Sequence, residues 1–126
     1  MPPARILVVD DDPTLREIIV RLLVKSGYVS LEAASTPAAL EHIRAGAVNA
    51  VLIDVVLGGE NGWDTVRQVR EVTDVPILMM TGASVDKDTL RDAALLGTQG
   101  MLQKPFEADE LLSLLSLTLA HPGICT

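Results

Sequence analysis

The chain has little of three features on which whole classes of protein depend. It contains one cysteine and three aromatic residues, one each of Phe, Trp and Tyr, among 126. A single thiol, Cys125, excludes an intrachain disulfide framework and a Cys-rich zinc site. So few aromatic rings disfavour a stacking platform for single-stranded nucleic acid. No apolar run approaches the roughly 20 residues of a membrane span, and the first residues contain no signal-peptide core.

Acidic side chains outnumber basic ones. Asp and Glu total 17 against 10 Lys and Arg, which gives a net charge of −7 at pH 7. This charge disfavours contact with nucleic-acid phosphate or anionic lipid, so we expect no direct partner of either kind. The single cysteine and the lack of a membrane span or signal-peptide core predict a cytoplasmic location. With 48% hydrophobic residues the chain can form a well-packed core. We expect one domain over 1–121, with 122–126 as a tail or the start of a linker.

Short apolar runs alternate along the chain with amphipathic helical segments. Asp12 is suited to cap a helix that begins at Pro13, and Gly27 is suited to follow its end. The glycine-rich segment 58–62 is typical of a loop. The predicted strands cover 5–10, 29–33, 50–54, 76–80 and 100–103. The predicted helices cover 13–26, 36–45, 63–71, 86–96 and 107–120.

This alternation of strands and helices predicts the fold class. It is typical of an α/β protein with an open five-stranded parallel sheet and helices on both faces, a flavodoxin-like doubly wound arrangement. A closed eight-fold barrel would need about twice this length. In the second strand, apolar Val29, Leu31 and Ala33 alternate with Ser30 and Glu32, so we expect it to be half exposed at an edge. That position fits the strand order 2-1-3-4-5.

Two of the predicted helices have apolar patterns that bear on packing and partners. In the fourth, Leu90, Ala93 and Ala94 share a face. The fifth has more leucines than one face can hold, namely Leu111, Leu112, Leu114, Leu115, Leu117 and Leu119. Either this helix is well buried, or its surplus apolar surface docks a partner or a second copy.

Polar side chains stand at the carboxyl ends of four predicted strands. In an open parallel sheet these ends meet at one edge, where ligands bind. The residues there are Asp10, Asp11, Asp12, Asp54, Thr81 and Lys104. Asp12 is best explained as the helix cap. The others combine carboxylates, a hydroxyl and an ammonium group, although they are far apart in sequence.

This combination of groups favours phosphoryl transfer. Crowded carboxylates repel one another, and a divalent cation with oxygen ligands relieves that repulsion. Mg²⁺ suits a site with few carboxylates and several waters, and Mn²⁺ could substitute. Asp54 stands alone on the central strand, and aspartate can form an acyl phosphate. Lys104 and the Thr81 hydroxyl would then stabilise the charge on the transferred phosphoryl oxygens.

At this point the sequence resembles the receiver domain of two-component response regulators, over essentially its whole length. The matching segments are ILVVDDD (6–12), VLID (51–54), LGGENG (57–62), ILMMTGA (77–83) and KPF (104–106). The spacing between these segments also fits the family. The resemblance implies a phosphoacceptor signalling switch rather than an enzyme with an external substrate.

The resemblance also implies residue roles. Asp54 corresponds to the phosphoacceptor, and Asp10 and Asp11 to the acidic pair that holds Mg²⁺, with Asp11 the more direct ligand. Val56 would offer its backbone carbonyl to the metal. Thr81 would bond the phosphoryl group and move toward it, and Lys104 would pair with its oxygens. The Lys104–Pro105 peptide bond is expected to be cis.

The implied phosphodonor is a sensor histidine kinase or a histidine phosphotransfer domain. Phosphorylation would bias a two-state equilibrium, and the surface of the fourth helix, fifth strand and fifth helix would report it. A homodimer through that surface is one interpretation of the leucine-rich last helix.

Three departures from the family pattern matter. Gly58 stands where the family usually has proline, which predicts a more mobile loop. Met101 replaces the usual Tyr or Phe of the switch position on the fifth strand, so an aromatic ring cannot swing behind Thr81, although methionine is adaptable. Val56 and Ala83 are apolar and cannot orient an attacking water, so we expect the phosphoaspartate to hydrolyse slowly.

Two other functions remain open from the sequence. The segment from Asp10 to Thr14 also fits the D-x-D-x-T pattern of haloacid-dehalogenase-like phosphatases, with Asp10 as nucleophile. That family would also want a late acidic pair at a strand end, and none follows the fourth strand. The other alternative is a receiver used only for docking. Turnover of a generic phosphatase substrate would favour the first alternative, and failure to take up a phosphoryl group would favour the second.

Overall fold

The computed structural model describes residues 3–57, 60–82 and 85–120. Within these ranges the strands of the main sheet are β1 (Arg5–Val9), β2 (Val29–Ala33), β3 (Ala50–Asp54), β4 (Ile77–Thr81) and β5 (Gly100–Gln103). The helices are α1 (Pro13–Lys25), α2 (Thr36–Arg44), α3 (Gly62–Val72), α4 (Lys87–Leu95) and α5 (Ala108–Ala120). A short antiparallel hairpin pairs Val56–Leu57 with Glu60–Asn61.

The main sheet is parallel throughout and has the order β2-β1-β3-β4-β5. This confirms the predicted doubly wound α/β fold and the predicted edge position of the second strand. Val9 pairs with Ile53, and Asp54 pairs with Met80. The carboxyl ends of the three central strands therefore lie side by side at one edge of the sheet.

Two apolar clusters, one on each face of the sheet, form the core. Successive residues of β1 enter opposite clusters, because side chains alternate across a strand. Helices α1 and α5 close one face through Ile19, Leu23, Leu111 and Leu115. Helices α2 and α3 close the other through Ala39, Leu40, Ile43, Val66 and Val69. This packing holds the strand ends rigidly in place.

Side-chain caps set where the helices begin. The carboxylate of Asp12 accepts hydrogen bonds from the backbone N–H groups of Thr14 and Leu15, at 3.0 and 3.4 Å, so its predicted capping role is confirmed. Asn61 caps α3 in the same way by accepting from the N–H of Trp63 at 2.9 Å. Each cap starts a helix directly beyond the edge of the sheet at which the strands end.

One sequence-based expectation was wrong. Segment 58–62 is not wholly a loop, because Glu60–Asn61 pairs in the hairpin and Gly62 opens α3. Two-residue strands carry no periodicity that a sequence could reveal. Helix α4, all of which is described, buries only Ala93, whereas Leu90 is 47% exposed and Ala94 is also exposed. The helix therefore packs on the sheet through one small side chain.

The leucines of α5 divide between core and surface. Leu111 and Leu115 are fully buried, whereas Leu117 is 62% exposed. The expectations for Gly58, Ala83, Cys125 and the tail 122–126 fall outside the described residues. None of the helices that the structure describes has the length and apolar character needed to cross a membrane.

Candidate functional site

The edge of the sheet where the strands end contains one polar residue from each of four neighbouring strands. Asp10 directly follows β1, Asp54 ends β3, Thr81 ends β4 and Lys104 directly follows β5. The backbone N–H of Lys104 donates to the carbonyl of Thr81 at 2.7 Å. Parallel pairing of the strands thus brings the predicted residues together across nearly the whole chain.

Asp54 is a buried carboxylate held by two donors. Its side chain is 8% exposed and forms an ion pair with the ammonium of Lys104 through Oδ2. The backbone N–H of Val56 donates to Oδ1 at 3.0 Å. Lys104 is itself only 26% exposed, so solvent screens this pair weakly. These two donors hold the carboxylate in one orientation, and a carboxylate oxygen can act as a nucleophile.

Asp10 is fully buried beside Asp54. Its Oδ1 accepts from the backbone N–H of Asp12 at 2.9 Å, whereas Oδ2 has no hydrogen-bond partner among the described residues. Burial raises the pKa of Asp10 to about 6, and the Asp54 charge adds to this rise. The Asp12 N–H and the Lys104 charge oppose it. The site is therefore short of positive charge.

The residues present fit a divalent cation of the Mg²⁺ type. Across residues 3–57, 60–82 and 85–120, no three His, Cys, Asp or Glu side chains are already arranged around a metal position. Mg²⁺ does not require such a cage, because it keeps several waters and takes one or two carboxylates. The buried, unpartnered Oδ2 of Asp10 is an oxygen of the kind that such a cation takes. The neighbouring Asp11 is exposed.

The remaining predicted residues are placed as follows. Thr81 is 5% exposed at the end of β4. Met101 is partly buried against the α2–α3 apolar cluster and pairs with Met79. The Val56 side chain is 68% exposed, so its backbone is the part that faces Asp54. The Lys104–Pro105 bond is cis, as expected.

Two contacts near the site were not predicted from the sequence. The Arg16 guanidinium donates from Nη1 to the backbone carbonyl of Asp10 at 2.7 Å, and from Nε to Glu32 at 3.0 Å. Gly62 packs against the backbone that follows Asp54, where a Cβ would come within 2.6 Å of Val55 Cα. The first contact had no sequence signal, since its acceptor is a backbone atom. The second had one, a glycine at the start of a helix.

With the geometry in place, the comparisons with known proteins identify the class. The family model described as response regulator receiver domain matches residues 6–116. Transcriptional regulatory protein YvrH of Bacillus subtilis is 38% identical over 112 residues, covering 88% of this chain and 47% of that protein. A solved response regulator of Chloroflexus aurantiacus is 35% identical with a TM-score of 0.83, covering 94% of this chain and 98% of that one. The chain therefore belongs to the response regulator receiver domain family.

A second solved structure shares the fold at lower identity. It is a response regulator of Burkholderia pseudomallei described with a phosphorylated aspartic acid, a calcium ion and citrate. The identity is 24% and the TM-score 0.81, with 94% of this chain and 70% of that one covered. This similarity shows the fold alone.

Family membership settles the general class of function. The chain is a receiver domain of two-component response regulators, a class of signalling switches that interact with histidine kinases. The haloacid-dehalogenase-like alternative is not favoured by any of these matches. The chain spans about half the length of the curated relatives it matches.

Proposed function

We propose that Asp54 accepts a phosphoryl group from a histidine kinase or a histidine phosphotransfer domain, in a reaction that requires Mg²⁺. The observation that carries this proposal is the buried Asp54 carboxylate, paired with Lys104 beside the unpartnered Oδ2 of Asp10. A nucleophile, a positive charge and a carboxylate oxygen that can bind a cation thus lie at the same edge of the sheet.

The transfer itself forms one bond and breaks one. A carboxylate oxygen of Asp54 attacks the phosphorus of phosphohistidine and forms an acyl phosphate. The phosphorus–nitrogen bond breaks, and its electron pair stays on the imidazole nitrogen, which takes up a proton. Lys104 leaves its pairing with the carboxylate to pair with a phosphoryl oxygen. Thr81 would bond another phosphoryl oxygen.

The divalent cation would be held by Asp10, Asp11, Asp54 and the backbone carbonyl of Val56. When bound, it neutralises charge on the phosphoryl oxygens and on the carboxylates. The domain then promotes its own phosphorylation and dephosphorylation, with no external substrate.

The structure also supports a readout surface formed by α4, β5 and α5. Ala93 is the one buried residue of helix α4, and a helix with few buried contacts is easily displaced. On α4, Leu90 and Leu95 are 47% and 79% exposed, and on α5, Leu117 is 62% exposed. We propose that phosphorylation changes this surface and that it binds a partner or a second copy. Sedimentation with and without acetyl phosphate, on wild type and Leu117→Lys, tests the second-copy interpretation.

Intact-mass measurement after treatment with acetyl phosphate and Mg²⁺ tests the phosphoacceptor. Phosphoramidate, which carries a phosphorus–nitrogen bond like that of phosphohistidine, serves as a second donor. We expect wild type to gain the mass of one phosphoryl group and Asp54→Asn to gain none. The matched control is Asp64→Asn, because the Asp64 side chain is 62% exposed and pairs with Arg67 rather than with a residue of the site. An equal gain in wild type and Asp54→Asn would contradict the proposal.

A further inference from the structure

The main-chain carbonyl of Asp10 has a side-chain partner that comes from outside the predicted site. Arg16, on the first turns of α1, donates to it from Nη1 at 2.7 Å. The Arg16 side chain is 19% exposed, so this contact is largely protected from water. Arg16 neither contacts Asp54 nor belongs to the residues expected from the sequence.

A second residue fixes the orientation of Arg16. Its Nε donates to Oε1 of Glu32 on the edge strand β2 at 3.0 Å. The guanidinium is planar, so two bonds in different directions hold it in one orientation. Glu32 is 50% exposed, and an ion pair of that exposure contributes little stability by itself. The pair therefore acts by fixing the orientation of the Arg16 guanidinium rather than by adding stability.

The bond from Arg16 controls the peptide unit that joins the two acidic residues of the site. Because a peptide unit is planar, holding the carbonyl of Asp10 also sets the direction of the Asp11 N–H. The N–H of Asp10 is held separately by the carbonyl of Ala33 at 3.1 Å. Oδ1 of Asp10 is held by Asp12 at 2.9 Å. With these three bonds in place, Oδ2 is the one part of Asp10 left for a ligand.

We propose that Arg16, oriented by Glu32, is a positioning residue that aims the Asp10–Asp11 turn at the divalent cation and thereby sets the cation affinity. The inference rests on the proposed function, because it assumes that the cation binds there. Removing a group that hydrogen-bonds to a metal ligand and orients it typically weakens metal affinity by about tenfold or more. Arg16 acts through a backbone carbonyl, so its loss leaves all the ligands present.

Titration of Mn²⁺ followed by water-proton relaxation measures this affinity directly, without any phosphodonor. We expect Arg16→Met, which keeps the length of the side chain but removes its donors, to weaken Mn²⁺ binding by about tenfold. The matched control is Arg21→Met on the same helix. Arg21 is 77% exposed and pairs only with Glu17 among the described residues, so its loss should leave Mn²⁺ affinity unchanged.

The Glu32 variants separate positioning from general stability. Glu32→Gln keeps an acceptor oxygen for Arg16 and should bind Mn²⁺ nearly as wild type does, whereas Glu32→Met should weaken binding. This pair also keeps the inference testable if Arg16→Met does not fold. Urea unfolding without cation provides the stability of each variant. A structural role alone would lower stability and leave the Mn²⁺ affinity of the folded protein unchanged.

The outcomes distinguish this inference from the proposed function. Wild-type binding of Mn²⁺ together with wild-type affinity in Arg16→Met would overturn the positioning role alone. Equal affinities in Glu32→Gln and Glu32→Met would do the same. Failure of the wild-type protein to bind Mn²⁺ would overturn both the positioning role and the proposed function.

Discussion

Replacing Asp10 by asparagine should stabilise the cation-free protein while removing its cation site. Asp10 is fully buried, and its Oδ2 lacks a hydrogen-bond partner among the described residues. Burial raises the pKa of this carboxyl from 3.8 to about 6. Asparagine has nearly the same shape, keeps an oxygen for the N–H of Asp12 and carries no charge. The variant therefore removes a buried charge without leaving a cavity.

The size of the effect follows from the pKa. At about 1.4 kcal/mol for each pKa unit, ionised Asp10 destabilises the fold by roughly 3 kcal/mol at neutral pH. Because the folded-state pKa is raised, this destabilisation is absent below about pH 4, grows as the pH rises to about 6 and stays constant above that. At pH 5 about half of it should be present. Asp10→Asn should therefore exceed wild type by roughly 3 kcal/mol at pH 7.5 and by about half as much at pH 5.

Urea unfolding in the presence of a chelator, at both pH values, measures the difference. The comparison uses the gap between the two proteins, because the other carboxyl groups titrate in both. Asp11→Asn is the matched control, since Asp11 is exposed and its charge is solvated. Added Mg²⁺ should stabilise wild type and leave Asp10→Asn unchanged. A variant no more stable than wild type at pH 7.5 without cation would refute the reasoning.

Three further changes test other parts of the structure. Gly62→Ala should lower the free energy of unfolding by about 1–3 kcal/mol, because its Cβ meets the backbone at Val55. The control is Gly82→Ala, because the space around a Cβ at Gly82 is open. Equal urea midpoints for the two variants would contradict the prediction. Arg70→Met should lower the free energy of unfolding by about 2 kcal/mol, because the carbonyls of Val75 and Gly97 each lose a 2.7 Å hydrogen bond. An unchanged urea midpoint would contradict this prediction. Val56→Asn should shorten the lifetime of the phosphoryl group, because the added amide can orient an attacking water. Loss of radiolabelled phosphoryl groups in Mg²⁺ buffer measures this lifetime. Loss of the label from the wild-type protein within seconds would contradict the expected slow hydrolysis.

The sequence predicted the sheet well because its central strands, β1, β3 and β4, are buried on both faces. Continuous apolar runs such as Ile6–Val9 have no polar alternation and fit only a covered parallel sheet. Asp12 marked the start of α1 because capping depends on side-chain chemistry. The convergence of Asp54 and Lys104 followed from topology alone.

The parts that were missed depend on geometry rather than on residue type. Leu90, Ala93 and Ala94 share a helical face, yet α4 lies so that Ala93 is its one buried residue. Arg16 looks like any surface arginine, because a sequence does not show which backbone carbonyl a side chain reaches. The unpartnered oxygen of Asp10 is likewise a result of packing, since the neighbouring Asp11 has the same chemistry and is exposed.

Direct location of the phosphoryl group tests the central claim most sharply. Borohydride reduces an aspartyl phosphate to homoserine, which peptide sequencing by mass spectrometry can place on the chain. After treatment with acetyl phosphate and Mg²⁺, the account predicts homoserine at Asp54 and its absence when a chelator replaces Mg²⁺. Homoserine at Asp10, as a phosphatase-like nucleophile would give, or conversion at neither residue, would contradict the account.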